Sequence, residues 1–207
     1  MVSELSVFEE TYKKYLVQIS ETDLKSIETR LGIQVEKNNA TIPFFNQPYT
    51  VSAKGIVDPN GNQPRLETSV VLCNYLLRCP EKEPLNDDWV SYRDFKDSGP
   101  LTVFFANAVE KPVADHFSGR VGALEKSCHT LGGFPPDMAL SYELSMQFSL
   151  LPRIPVFLLF NDADDEFPAH CSILFERRAE KYLDAESLAI LGMLFSIYLQ
   201  KADEDVS

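Results

Sequence analysis

The sequence predicts an α+β fold: an antiparallel sheet, with a C-terminal meander at about 140–150, 155–160 and 171–175, packed with about five helices. Three observations predict it. Leu140, Tyr142, Leu144, Met146, Phe148 and Leu150 alternate with polar or small residues, the period-2 pattern of a strand with one wet face. Val113, Phe117, Val121, Leu124, Cys128 and Leu131 recur at steps of three or four, the spacing of a buried helical stripe. Strands and helices come partly in blocks, which favours α+β over a doubly wound sheet.

In chain order, Phe8, Tyr12, Tyr15 and Ile19 fall at helical spacing. Ser20 and Asp23 have capping-box spacing and predict a second helix opening at Ser20. Its stripe is Leu24, Ile27 and Leu31, and Gly32 ends it, since glycine tolerates the left-handed backbone after a helix. Residues 41–57 read as strands, followed by a turn at Asp58-Pro59-Asn60-Gly61. A helix is expected from Leu66 to Arg78, then a polar loop from Pro80 to Asp88 and a short aromatic segment, Trp89 to Phe95. Val103 to Ala106 fits either a strand or a helix. Pro112 suits a helix's first turn, and Gly132-Gly133 stops the helix it opens. Val156–Phe160 and Cys171–Phe175 are apolar strands joined by the acidic loop Asn161–His170, and the last helix runs from near Asp184 to about Lys201.

A chain of 207 residues buries roughly 70% of its unfolded surface, so it needs no metal or disulfide to fold. One domain, 1–201, is expected, with a frayed acidic tail at 202–207. The net charge of −12 and pI near 4.7 argue against nucleic acid and anionic membrane surfaces as partners. Cys73, Cys79, Cys128 and Cys171 form no C-x-x-C pair and are expected as reduced thiols. The opening residues MVSELSVFEETYKKY lack a secretory pattern. The longest nearly apolar run, Leu188 to Leu199, is too short to span a bilayer. A cytoplasmic protein is expected.

Asp162, Asp164, Asp165 and Glu166, with His170 nearby, offer the oxygen ligands that Ca²⁺ or Mg²⁺ takes. They equally suit a solvated hairpin loop, with Phe167-Pro168 anchoring it to the core. Trp89, Tyr92, Arg93 and Asp94 suit stacking on a planar or anionic ligand, or an aromatic anchor for a loop. Arg120 and Arg153 are further cations for such a pocket. Nucleophilic catalysis has little support: there is no G-x-S-x-G, and Cys128 falls on an apolar stripe. His116 reads as a surface helix residue, and His170 and Cys171 as opposite faces of one strand. Neither a P-loop nor G-x-G-x-x-G is present, and no cofactor is assigned.

The segment IPVFLLFNDADDEFPAHCSILF, followed by YLDAESLAILG, resembles the C-terminal half of a bacterial and archaeal family known as domain of unknown function 3786. FFNQPYTV resembles its early strand, NYLL its first core helix and WVSYRDF its Trp-x-x-Phe-Arg segment, so the resemblance covers about residues 5 to 200. It implies no established activity. Association of some members with iron–sulfur and corrinoid proteins implies a corrinoid-related ligand. This chain lacks an N-terminal cysteine cluster, so no iron–sulfur centre is carried over. The positions matching the family pattern are Trp89, Arg93, Arg153, Asp165, Glu166, Phe167 and Glu186. They would serve as a common site or as determinants of the fold.

Three functions follow: a binding module for a small anionic, planar or corrinoid-related molecule, a protein–protein adaptor, or a divalent-metal enzyme using the loop 162–166. The first requires Trp89, Arg93 and the Asp165–Phe167 loop to face one hollow.

Overall fold

The computed structural model describes residues 4–85 and 88–204, with side chains from Glu9 onward. Phe8's side chain, Asn86, Asp87 and the tail after Glu204 lie outside the described residues. Helix α1, Glu4–Glu21, packs on α3, Leu66–Leu77. Ser20 does not open α2. It lies in the last turn of α1, where its hydroxyl donates to the Val17 carbonyl at 2.6 Å. Asp23 caps α2, Leu24–Leu31, by accepting from the Lys25 N–H, and Gly32 ends it at φ +68°.

The first sheet is antiparallel: β1 Gln34–Glu36, β2 Asn39–Phe44, β3 Gln47–Ser52 and β4 Gly55–Val57, in that order. It begins earlier than residue 41 because Lys37 and Asn38 take positive φ and fold β1 back onto β2. The Asp58 turn forms as expected: one carboxylate oxygen accepts from the N–H groups of Asn60 and Asn62.

The second sheet holds β5 Trp89–Ser91, β6 Leu144–Leu151, β7 Ile154–Asn161 and β8 His170–Glu176, in the order β5-β8-β7-β6, all antiparallel. The expected meander is its centre. β6 opens at Leu144 rather than Leu140, because its ladder pairs Leu144 with Phe160 and β7 ends one residue later. The core face carries Met146, Phe148, Val156, Leu158, Phe160, Ile173 and Phe175, all buried with α7, Ala185–Glu204. The sheets touch where the Phe45 N–H donates to the Leu150 carbonyl at 3.0 Å.

The segment Val103–Ala106 is helical. Helix α4, Thr102–Phe105, runs through a π turn at Ala106–Glu110 into α5, Lys111–Phe117. The Lys111 N–H donates five residues back, to Ala106. Pro112 has no N–H to donate and its ring would strike a carbonyl four residues back in a regular helix, so the wider turn accommodates it. The single helix expected from Val113 to Leu131 is two: the chain breaks at Ser118-Gly119, with Gly119 at φ +72°, and α6 spans Val121–Thr130. The apolar spacing ran through this corner because both helices face one core.

Asp184 caps α7 by accepting from the Ser187 N–H at 2.8 Å. That helix outruns Lys201: Ala202 and Asp203 are buried within it. No helix among the described residues is long and apolar enough to cross a membrane. All four cysteines are free thiols.

Candidate functional site

β5 pairs with β8 only at 174–176, so residues 170–173 have no strand on that side among the described residues. An open strand edge leaves backbone groups without partners. Here the π turn lies alongside, and the Glu110 carboxylate takes the place of a strand carbonyl. Its Oε1 accepts from the Ile173 N–H at 3.1 Å. Burial pushes the Glu110 pKa up, opposed by that N–H and by the charges of His170 and Arg93. Oε2 receives no hydrogen bond among the described residues.

A hollow of about 310 Å³ opens at this edge, lined by Ser91, Arg93, Glu110, His170 and Ser172 over Tyr92 and Phe105. The rings of Tyr92 and Phe105 stack at 4.3 Å, and the Tyr92 hydroxyl donates to the Ala185 carbonyl at 2.8 Å. This floor is therefore fixed by packing. Asp94 is engaged: one carboxylate oxygen accepts from the Ser91 N–H and hydroxyl, at 3.1 and 2.6 Å. The hydroxyl bond first, then the N–H, holds its pKa below the usual range against a modest desolvation penalty. Arg93 is exposed and makes no ion pair among the described residues. His170 Nε2 lies 3.0 Å from Ser172 Oγ. The hollow thus presents a cation with no ion pair among the described residues, a half-buried carboxylate and an imidazole–hydroxyl pair.

The other residues singled out in the sequence lie elsewhere. Trp89 stands opposite Glu176, with its ring 3.8 Å from that of Phe157. The acidic loop leaves the sheet at the Asn161–His170 pair, the other end of β8. Six residues at about 3.3 Å each separate the two ends by roughly 20 Å. The indole and the Asp165–Phe167 loop therefore share no cleft, contrary to expectation.

The loop's carboxylates shape the loop itself. Asp164 accepts from the N–H groups of Glu166 and Phe167, which lowers its pKa. Asp162 accepts from the Gly119 N–H at 2.7 Å, and Glu143 from the Asp162 N–H. Asp165 and Glu166 are exposed, and Phe167, expected to anchor the loop, is 66% exposed. Among the described residues no group of three or more His, Cys, Asp or Glu could hold a metal ion.

Arg153 is a fastener at the β6–β7 turn, donating to the carbonyls of Thr29 and Arg30 and pairing with Glu83 at 2.9 Å. Arg120 and His116 both bind Asp203, so His116 is not a plain surface residue. Glu186 is exposed in the first turn of α7, beside a different hollow with Arg78 and Lys96. Burial pushes the Cys73 thiol up to about 12 and those of Cys128 and Cys171 upward too.

Of the residues expected to bind, Arg93 and Tyr92 reach the hollow; Glu110 and Ser172 were missed. One signal for the π turn was present. Phe105, Val109, Val113 and Phe117 are all buried at steps of four. Each such step drifts about 40° on a regular α-helix, so keeping all four inside favours a wider turn.

The fold and the hollow define an α+β scaffold with a recess of about 310 Å³ at a sheet edge. The chain belongs to the family of the domain of unknown function DUF3786, whose profile matches residues 23–197, from the cap of α2 to most of α7. No curated protein and no solved structure matches it.

Proposed function

We propose that this protein is a small-molecule binding module whose ligand sits in the hollow at the open edge of β8. One observation carries the reading: Arg93 and Glu110 line the same hollow without pairing. A partly desolvated carboxylate without a counter-ion costs stability. Such costs are tolerated where a ligand completes the site. The volume, about 310 Å³, is at the small end of the range for ligand pockets, about 300–1,000 Å³. It favours a metabolite with an anionic group for Arg93 over a corrin macrocycle.

The adaptor reading keeps one observation in its favour. Phe134, Met138 and Tyr142 are each exposed on the segment before β6, and large exposed apolar side chains suit a protein partner.

Thermal unfolding with phosphate, mono- and dicarboxylates, amino acids, nucleotides, Mg²⁺, Ca²⁺, Zn²⁺ and cobalamin tests the proposal. A true ligand at a hundredfold excess over its Kd stabilises by about 2.7 kcal/mol, several degrees for a chain of this size. We expect such a shift with an anionic probe, and its loss in Arg93→Ala. If no probe shifts the melt, or if the shift survives Arg93→Ala and Glu110→Ala alike, the proposal fails.

A further inference from the structure

We infer that the ligand is a zwitterion of the α-amino-acid type, with its carboxylate on Arg93 and its ammonium group on Glu110. The inference rests on the reading just given and adds the class of molecule. No ion pair reaches the Arg93 guanidinium among the described residues: its charge acts on the neighbouring Asp94, but that carboxylate is held by the Ser91 N–H and hydroxyl. Glu110 has one oxygen on the Ile173 N–H and, among the described residues, no donor on the other; the charges of His170 and Arg93 act on it without a direct bond. The nearest candidate cation on its own helix, Lys111, pairs with Asp115 at 2.8 Å instead.

The two groups are close enough for the charge of Arg93 to act on Glu110, yet they form no ion pair. A molecule bearing only an anion would satisfy Arg93 and bring a second negative charge towards Glu110. A molecule bearing only a cation would do the reverse. Opposite charges a few bonds apart satisfy both and leave the net charge of the site unchanged. His170 and Ser172, 3.0 Å apart, add a donor and an acceptor for the rest of the ligand. The volume of about 310 Å³ is sufficient for one amino acid.

The test is calorimetric titration of the wild-type protein with the twenty L-amino acids, their N-acetyl forms, which lack the ammonium, and their amides, which lack the carboxylate. At least one free amino acid should bind. Its N-acetyl form and its amide should each bind at least about tenfold more weakly, since each leaves one charged group unpaired. Glu110→Gln keeps an acceptor for Ile173. It should bind the free and N-acetyl forms within about threefold of each other. Arg93→Gln should likewise cease to distinguish the free acid from the amide. If an N-acetyl form or a simple carboxylate binds the wild type as tightly as any amino acid, through Arg93, the zwitterion is overturned and the binding module stands. If no amino acid and no other probe binds, both fall. Melts of each variant without ligand show whether it has folded.

Discussion

The Glu110 carboxylate has its two oxygens in different settings: one holds the Ile173 N–H, the other has no donor among the described residues. Two substitutions at this one position should therefore act in opposite directions. Glu110→Ala leaves the Ile173 N–H without its acceptor and should cost about 1–3 kcal/mol. Glu110→Gln keeps the acceptor and removes the charge. It should stabilise the protein at neutral pH by on the order of 1 kcal/mol, the usual scale for relieving a functional site. Its pH dependence has a definite sign. The folded pKa lies above the ordinary 4.5, with desolvation as the main cause. The folded state then holds the proton more tightly, and stability falls as pH rises from 4.5 through the folded value. Glutamine does not titrate, so the variant's advantage should vanish below about pH 4 and grow above it. Urea titrations at a series of pH values would check both signs; equal stability at all pH values would refute the account. Residues such as Asp23, Gly32 and Asp58 were legible in the sequence because they act on backbone within five residues of themselves. Glu110 was not, because its partner lies 63 positions away.

Packing of whole elements explains both what was legible and what was lost. The meander shows in the sequence because alternation is a local property of a half-buried strand. The corner at Gly119 does not, because helical spacing counts residues and is blind to a turn that keeps both helices on one core. β5 is three residues long and is a strand only by virtue of β8. Where α7 crosses α4, the Phe105 ring lies against the α7 backbone at Gly192. A methyl group on Gly192 would lie 2.5 Å from Cε2 of Phe105. Phe105 has little room to yield, since its ring stacks on Tyr92 and meets Phe175 edge-on. Gly192→Ala should therefore destabilise the protein by about 1–3 kcal/mol, although alanine is the better helix former by about 1 kcal/mol. Chemical denaturation would measure the balance, and a net gain would show that the helices separate easily. Because Phe105 also floors the hollow, the same variant should weaken any ligand that binds there.

Across the molecule, a chain of charge −12 sets some of its few cations against specific carboxylates. Near its C-terminal end, Asp203 accepts from Arg120 at 2.8 and 2.9 Å and lies 2.9 Å from His116 Nε2, tying α7 to the corner between α5 and α6. The hydrogen bond from His116, then those from Arg120, hold its pKa below the ordinary 3.8. A depressed carboxylate contributes stability above its unfolded pKa and loses it as pH falls through the folded value. Asp203→Asn should lower stability at pH 7 by roughly 1–2 kcal/mol, a charged hydrogen-bond loss discounted for the exposure of Arg120. The deficit should close as the pH drops below about 3.8. Melting curves at a series of pH values from 7 downward check this, and a deficit that does not narrow at all below pH 3.8 would exclude the charge as its source. The sequence reading ended the ordered helix before this residue, because a run of Asp and Glu at a chain end looks solvated unless its distant partners are known.

The π turn has a genetic meaning as well as a structural one. A widened turn amounts to one residue more than a regular helix needs. Deleting a single codon between Ala106 and Val109 would let the helix rewind as a regular α-helix with Glu110 facing much as before, because five residues of the wide turn sweep about the same angle as four of an α-helix. The gain of one residue is therefore the single mutational event that separates a regular helix at this sheet margin from the widened one.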